Sequence, residues 1–132
     1  MKILFIGSEF LGGAVKTYLL RDNKDRAIAF VKDYLNACSL MRVWQPDIVI
    51  HEWDEDDCSS VMIELASSCG IPTLAYVSKL PRDVQCRLNR IERSETLEKP
   101  IPQTVETPAF RQKLISSIRR LECIVKPKHR AA

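Results

Sequence analysis

The sequence predicts an α/β domain: five short strands in a parallel sheet with helices on both faces. Three observations predict it. Short apolar runs alternate with stretches of helical periodicity along most of the chain. The runs are nearly continuous in apolarity, as strands covered on both faces should be. Turn and breaker residues fall between the two kinds of segment.

The opening run, Lys2–Ile6, is basic then apolar and stops at Gly7, too short for a signal-peptide core and suited to a buried first strand. Ala14, Val15, Tyr18 and Leu19 then recur at helical spacing until Asp22-Asn23-Lys24-Asp25 breaks the pattern. Ala27–Val31 gives a second strand, and Tyr34, Leu35, Cys38, Met41 and Val43 line a second helix face. Gln45-Pro46-Asp47 cannot continue that helix, and Ile48-Val49-Ile50 follows as the clearest strand. Val61, Ile63, Leu65 and Ala66 predict a third helix closed by Gly70, and Pro72–Val77 a fourth strand. Val84, Leu88 and Ile91 make a thin fourth helical stripe among Arg82, Arg87, Arg90 and Arg93. Leu97 sits in a short last strand. Thr107 as N-cap and Pro108 at the first helical position open a final helix with Phe110, Leu114, Ile118 and Leu121 on one face.

Strands alternating with helices in this way are joined by right-handed crossovers. The expected architecture is a flavodoxin-like three-layer domain with strand order 2-1-3-4-5, whose ligands belong at the carboxyl ends of the strands. Those ends are Gly7-Ser8-Glu9, Glu52–Asp57, Val77-Ser78-Lys79 and Lys99-Pro100.

With 132 residues, 45% of them hydrophobic and 28% charged, the chain reads as one domain over residues 1–122 followed by a basic tail, 123–132. No segment approaches the roughly 20 apolar residues of a membrane span. Five cysteines, Cys38, Cys58, Cys69, Cys86 and Cys123, form no CxxC pair and leave an odd count. That suits a reducing cytoplasm better than a disulfide scaffold. Residues 1–78 hold 7 basic against 11 acidic side chains, whereas residues 79–132 hold 13 against 6. The second half could therefore face an acidic partner.

Several catalytic or ligand-binding classes are excluded on spacing. Asp54-Glu55-Asp56-Asp57, with His51 nearby, invites a hard cation, but four consecutive acids cannot face one point and the EF-hand glycine is absent. We read an exposed loop that caps the next helix through Asp57 or Ser59, and His51 as a packed strand residue. The glycines of residues 7–13 fail both the phosphate-loop and the dinucleotide patterns, because Ala14 follows Gly13 where Lys then Ser or Thr is required. No Ser-His-Asp or Cys-His arrangement is legible, and Cys58, near a helix start, reads as structural. Neither enzyme chemistry, nor a cofactor, nor a bound metal is expected. The basic residues of the second half lack the aromatics that nucleic-acid binding wants, since Trp44 and Trp53 lie in the other half.

Pro46-Asp47 before strand three, Gly70-Ile71-Pro72 before strand four and Lys99-Pro100 after strand five fall in register with the element order over residues 2–122. In these features the chain resembles the receiver domain of two-component response regulators. The resemblance implies an acidic pair at the end of strand one that binds Mg²⁺, where this chain has Gly7 and Ser8, with Glu9 one step later. It implies a phosphoacceptor aspartate five residues beyond Asp47, where Glu52 stands. The switch hydroxyl falls on Val77, beside Ser78, and the aromatic switch residue on Thr96. Only Lys99 and Pro100 match. The expectation is a degenerate receiver, a pseudo-receiver that signals in the cytoplasm through a protein partner without aspartyl phosphorylation. Glu52 and Lys99 would form an ion pair that imitates the charge of a phosphorylated state. In the family, the surface of the fourth helix, fifth strand and last helix mediates homodimerisation and effector contact, which here places Arg87, Arg90, Arg111 and Arg119 on an interaction face. Two other readings stay open. One is a phosphorylatable response regulator using Asp54 or Glu9 after a register shift. The other is a small nucleotide-sugar-transferase-like enzyme or fragment, which the opening strand and loop and the Pro46-Asp47-Ile48-Val49 run resemble.

Overall fold

A computed structural model describes residues 1–53, 57–77 and 94–125, with residues 57–60 described as backbone. Five strands form one parallel sheet in the order β2-β1-β3-β4-β5. They are β1 Lys2–Ile6, β2 Ala27–Val31, β3 Ile48–Glu52, β4 Thr73–Val77 and β5 Ser94–Glu98. The helices are α1 Glu9–Asp22, α2 Tyr34–Val43, α3 Asp57–Ser68, the single turn α4 Pro102–Val105 and α5 Pro108–Ile124. The predicted architecture is the observed one. The stripe of Val84, Leu88 and Ile91, the acids 54–56 and residues 126–132 of the tail assigned to 123–132 lie outside the described residues, whereas Cys123 and Ile124 belong to α5.

The central strands are apolar because both faces are covered. Every residue of β3 is buried, as are Ile3–Ile6 of β1 and Thr73–Tyr76 of β4. One face packs Ile3, Phe5, Ile48, Ile50, Leu74 and Tyr76 against α1 and α5, and the other packs Leu4, Ile6 and Val49 against α2 and α3. Register is pinned at the lower edge by Asp47, whose Oδ2 accepts from the Lys2 backbone N at 2.8 Å while its own N–H donates to Lys2 O, also at 2.8 Å. The Pro46-Asp47 pair is thus a latch between β1 and β3. Arg26, 4% exposed, latches the opposite flank. Its guanidinium donates to Glu122 through Nε (3.1 Å) and Nη2 (2.8 Å), and its Nη1 to Asp22 Oδ2 (2.8 Å) and Leu19 O (3.0 Å).

Helix faces depart from the sequence reading in three places. Leu35 and Val43, assigned to the buried face of α2, are 78% and 82% exposed, and Ala37 and Met41 point inward instead. On α3, Val61 is exposed and Met62 takes the core position. The first helix also starts earlier than its apolar periodicity implied. Ser8 is its N-cap, accepting from Leu11 N, so Gly12 and Gly13 lie inside α1 and not in a loop. Asp57, assigned to the exposed loop, is the first residue of α3. The other stop and start signals lie where the sequence put them. Gly70, at φ +69°, ends α3 with the Ile71 N–H on Ala66 O, and Thr107 caps α5 by accepting from Phe110 N.

Candidate functional site

The carboxyl ends of β1 and β3 and the residue after β5 converge on one carboxylate, Glu52. It is the last residue of β3 and is 9% exposed. Its Oε1 accepts from Ser8 Oγ at 2.6 Å and from Ser8 N at 3.1 Å, and its Oε2 stands 3.1 Å from Lys99 Nζ. Lys99 also donates to Trp53 O at 3.5 Å, and its backbone N–H continues the sheet by donating to Val77 O at 2.7 Å. Burial by itself would raise the Glu52 pKa. The Ser8 side chain, the Ser8 backbone N–H and then Lys99 outweigh it and hold the carboxyl below the usual glutamate range.

Gly7 explains how a glutamate fits there. A Cβ at position 7 would lie 2.6 Å from Glu52 Cβ and 3.1 Å from the Phe5 ring, closer than packed carbons approach. The side chain missing from strand one and the longer acid on strand three are therefore one steric arrangement. Ser8 completes it by supplying two donors where the receiver pattern has an acid. That role was not legible in the sequence, although a serine just before an apolar helical run is a known N-cap signal.

The other site residues singled out in the sequence do not join this cluster. Val77, half-buried, ends β4, and Thr96 is exposed on β5. Glu9 lies on the surface with its carboxylate 2.6 Å from Lys32 Nζ. His51 is buried within β3. Of the four arginines assigned to an interaction face, Arg87 and Arg90 lie outside the described residues. Arg111 sits 5.9 Å from the centre of the Tyr18 ring, and Arg119 pairs with Asp22 at 2.5 Å. Pro100 follows Lys99 and lines a cavity between β5 and α5.

The donor set does not fit Mg²⁺. A hard dication wants several carboxylate oxygens, whereas position 7 offers no side chain, position 8 a hydroxyl already donating, and position 52 a carboxylate already facing an ammonium. Among the described residues no group of three or more His, Cys, Asp or Glu is placed to hold a metal.

With this geometry in hand, comparison with solved structures identifies the architecture. The chemotaxis response regulator CheY4 of Vibrio cholerae superposes with a TM-score of 0.69 at 13% identity, over 91% of this chain and 97% of that one. The receiver domain of a signal transduction histidine kinase from Syntrophus aciditrophicus gives 0.72 at 15% identity, over 99% and 96%. The chain has the receiver-domain fold. A de novo designed Rossmann 2x3 protein superposes nearly as well, at 0.66 with 12% identity over 99% and 98%, so the fold by itself assigns no activity. No protein-family model and no curated protein matches the sequence. Among the described residues no helix is long and apolar enough to cross a membrane.

Proposed function

We propose that this chain is a receiver-like signalling domain that acts in the cytoplasm through protein contacts, without aspartyl phosphorylation and without an enzymatic step. One observation supports this above the others: both oxygens of the carboxylate at the phosphoacceptor position are already satisfied from within the chain. In-line attack on a phosphoryl donor needs an exposed carboxylate oxygen and a cation to spread the developing charge. Glu52 is buried, and among the described residues the cation facing it is Lys99, engaged with Oε2. The same pair brings together the lysine and the negative charge that a phosphorylated receiver would bring together, so the site holds a single state. Output is then governed by how much protein is present and by what binds it. The partner is a protein, with the surface of β5 and α5 and a second copy of the chain as the first contacts to test.

Intact mass after incubation with acetyl phosphate and Mg²⁺ tests the reading directly. The expected result is no added mass in a protein shown by circular dichroism to be folded. Gain of one phosphoryl group that disappears on substitution of a single acid, whether Glu52, Glu9 or Asp54, would overturn it.

A further inference from the structure

The cavity between the end of β5 and the start of α5 has a volume of about 260 Å³ and is not part of the Glu52 cluster, although Lys99 contributes to both. Its apolar walls include Leu97, Ile101 and Phe110; Glu98, Lys99 and Lys113 also line it, the Lys99 ammonium being engaged with Glu52. Tyr76 closes it from the sheet side, 1% exposed, with its ring stacked on Phe110 at a centroid distance of 5.8 Å. Among the described residues the Tyr76 hydroxyl has no hydrogen-bond partner. A hydroxyl buried without a partner has given up its water without replacement, which disfavours the folded state. Burial also pushes its pKa above the usual phenol range, so at neutral pH it is a donor in want of an acceptor.

Apolar walls, one deep donor and the Lys113 ammonium describe the chemistry of a small amphipathic acid. We propose that this cavity binds a small monocarboxylate with a flat apolar body, the body lying against Phe110 and Leu97 and the carboxylate accepting from the Tyr76 hydroxyl in the field of Lys113. The inference is independent of the phosphorylation reading above, because it places no demand on Glu52.

The test is a ¹H–¹⁵N NMR titration of the full chain with phenylacetate, using 2-phenylethanol as the neutral analogue of similar size. Phenylacetate should shift the amides of Leu97, Ile101 and Phe110 saturably, with a Kd on the order of 1 mM for a ligand this small. Binding should be about tenfold weaker for 2-phenylethanol, and about tenfold weaker in Tyr76→Phe and in Lys113→Ala, as loss of one charge-assisted contact predicts. Tyr76→Phe keeps the buried ring, and Lys113 is exposed, so both variants should fold, which the same spectra report. Failure to saturate by about 10 mM, equal affinity for 2-phenylethanol, or unchanged affinity in either variant would overturn the proposal.

Discussion

At the scale of single residues, the physics of this chain is concentrated in Glu52. Its folded pKa is depressed, so its contribution to stability is fully present above the unfolded glutamate value of about 4.5 and is lost as pH falls through the lower folded value. Stability of the wild type should therefore decline below about pH 5, and Glu52→Gln should lose the part of that decline due to this site. Urea midpoints between neutral and acidic pH measure it, with the difference between the two proteins shrinking toward the acid end. Lys99→Ala should cost about 1–3 kcal/mol at neutral pH, because it leaves a nearly buried carboxylate short of its cation. In the Glu52→Gln background the same change should cost clearly less, since the charge it served is gone. Additive losses would show that the two side chains are merely neighbours.

At the scale of elements, α1 offers an internal control in two adjacent glycines. A Cβ at Gly12 would sit 2.4 Å from the Phe30 ring, which is itself stacked on Phe5, whereas nothing lies within 4 Å of one at Gly13. Gly13→Ala should stabilise by about 0.5–1 kcal/mol through helix propensity. Gly12→Ala gains the same propensity but must push Phe30 out of place, a loss of about 1–3 kcal/mol, so the net effect should be destabilising. Thermal melts of the two variants should move in opposite directions. The pair also shows what the sequence could and could not reveal. Lys2–Ile6, Ala27–Val31 and the Thr107-Pro108 helix start were legible because continuous apolarity and cap chemistry are local signals. The start of α1 was not, because Gly12 and Gly13 read as a loop, whereas Gly12 lets the helix approach Phe5 of β1 and Phe30 of β2. Leu35 and Val43 misled because apolar residues also occur on exposed faces. Glu52, Lys99 and Gly7 could be placed by register alone. The donation from Ser8 could not, since it depends on how closely the ends of two neighbouring strands approach.

At the scale of the whole molecule, the fold is closed at two flanks by side-chain latches, of which only Asp47 belongs to a motif legible in the sequence. Lys2 and Asp47 tie β1 to the turn before β3, while Arg26 joins the end of α1, the entry to β2 and the last turns of α5. The second latch spans 96 positions in sequence and is nearly buried: the Arg26 side chain is 2% exposed, with Asp22 at 11% and Glu122 at 19%. Burial would raise the Asp22 pKa, but Arg119 and Arg26 outweigh it and hold the carboxyl below its usual range. Asp22 therefore adds to acid lability with the same sign as Glu52. Breaking such a network from one side is costly because Glu122 loses Arg26 while Asp22 is left with Arg119 alone of the two arginines. Arg26→Met, which keeps the apolar stem, should destabilise the domain by about 3 kcal/mol, the low end of the range for buried pairs, because both carboxylates retain some water. Arg119→Ala removes a residue that is 64% exposed from the same carboxylate and should cost about 1 kcal/mol or less. Urea denaturation of the two variants at neutral pH gives the comparison. Equal losses would mean that α5 is held by its apolar face of Phe110, Leu114, Ile118 and Leu121 alone. The predicted threefold gap would mean that the C-terminal helix, and with it the β5–α5 surface, is oriented by the Arg26 latch.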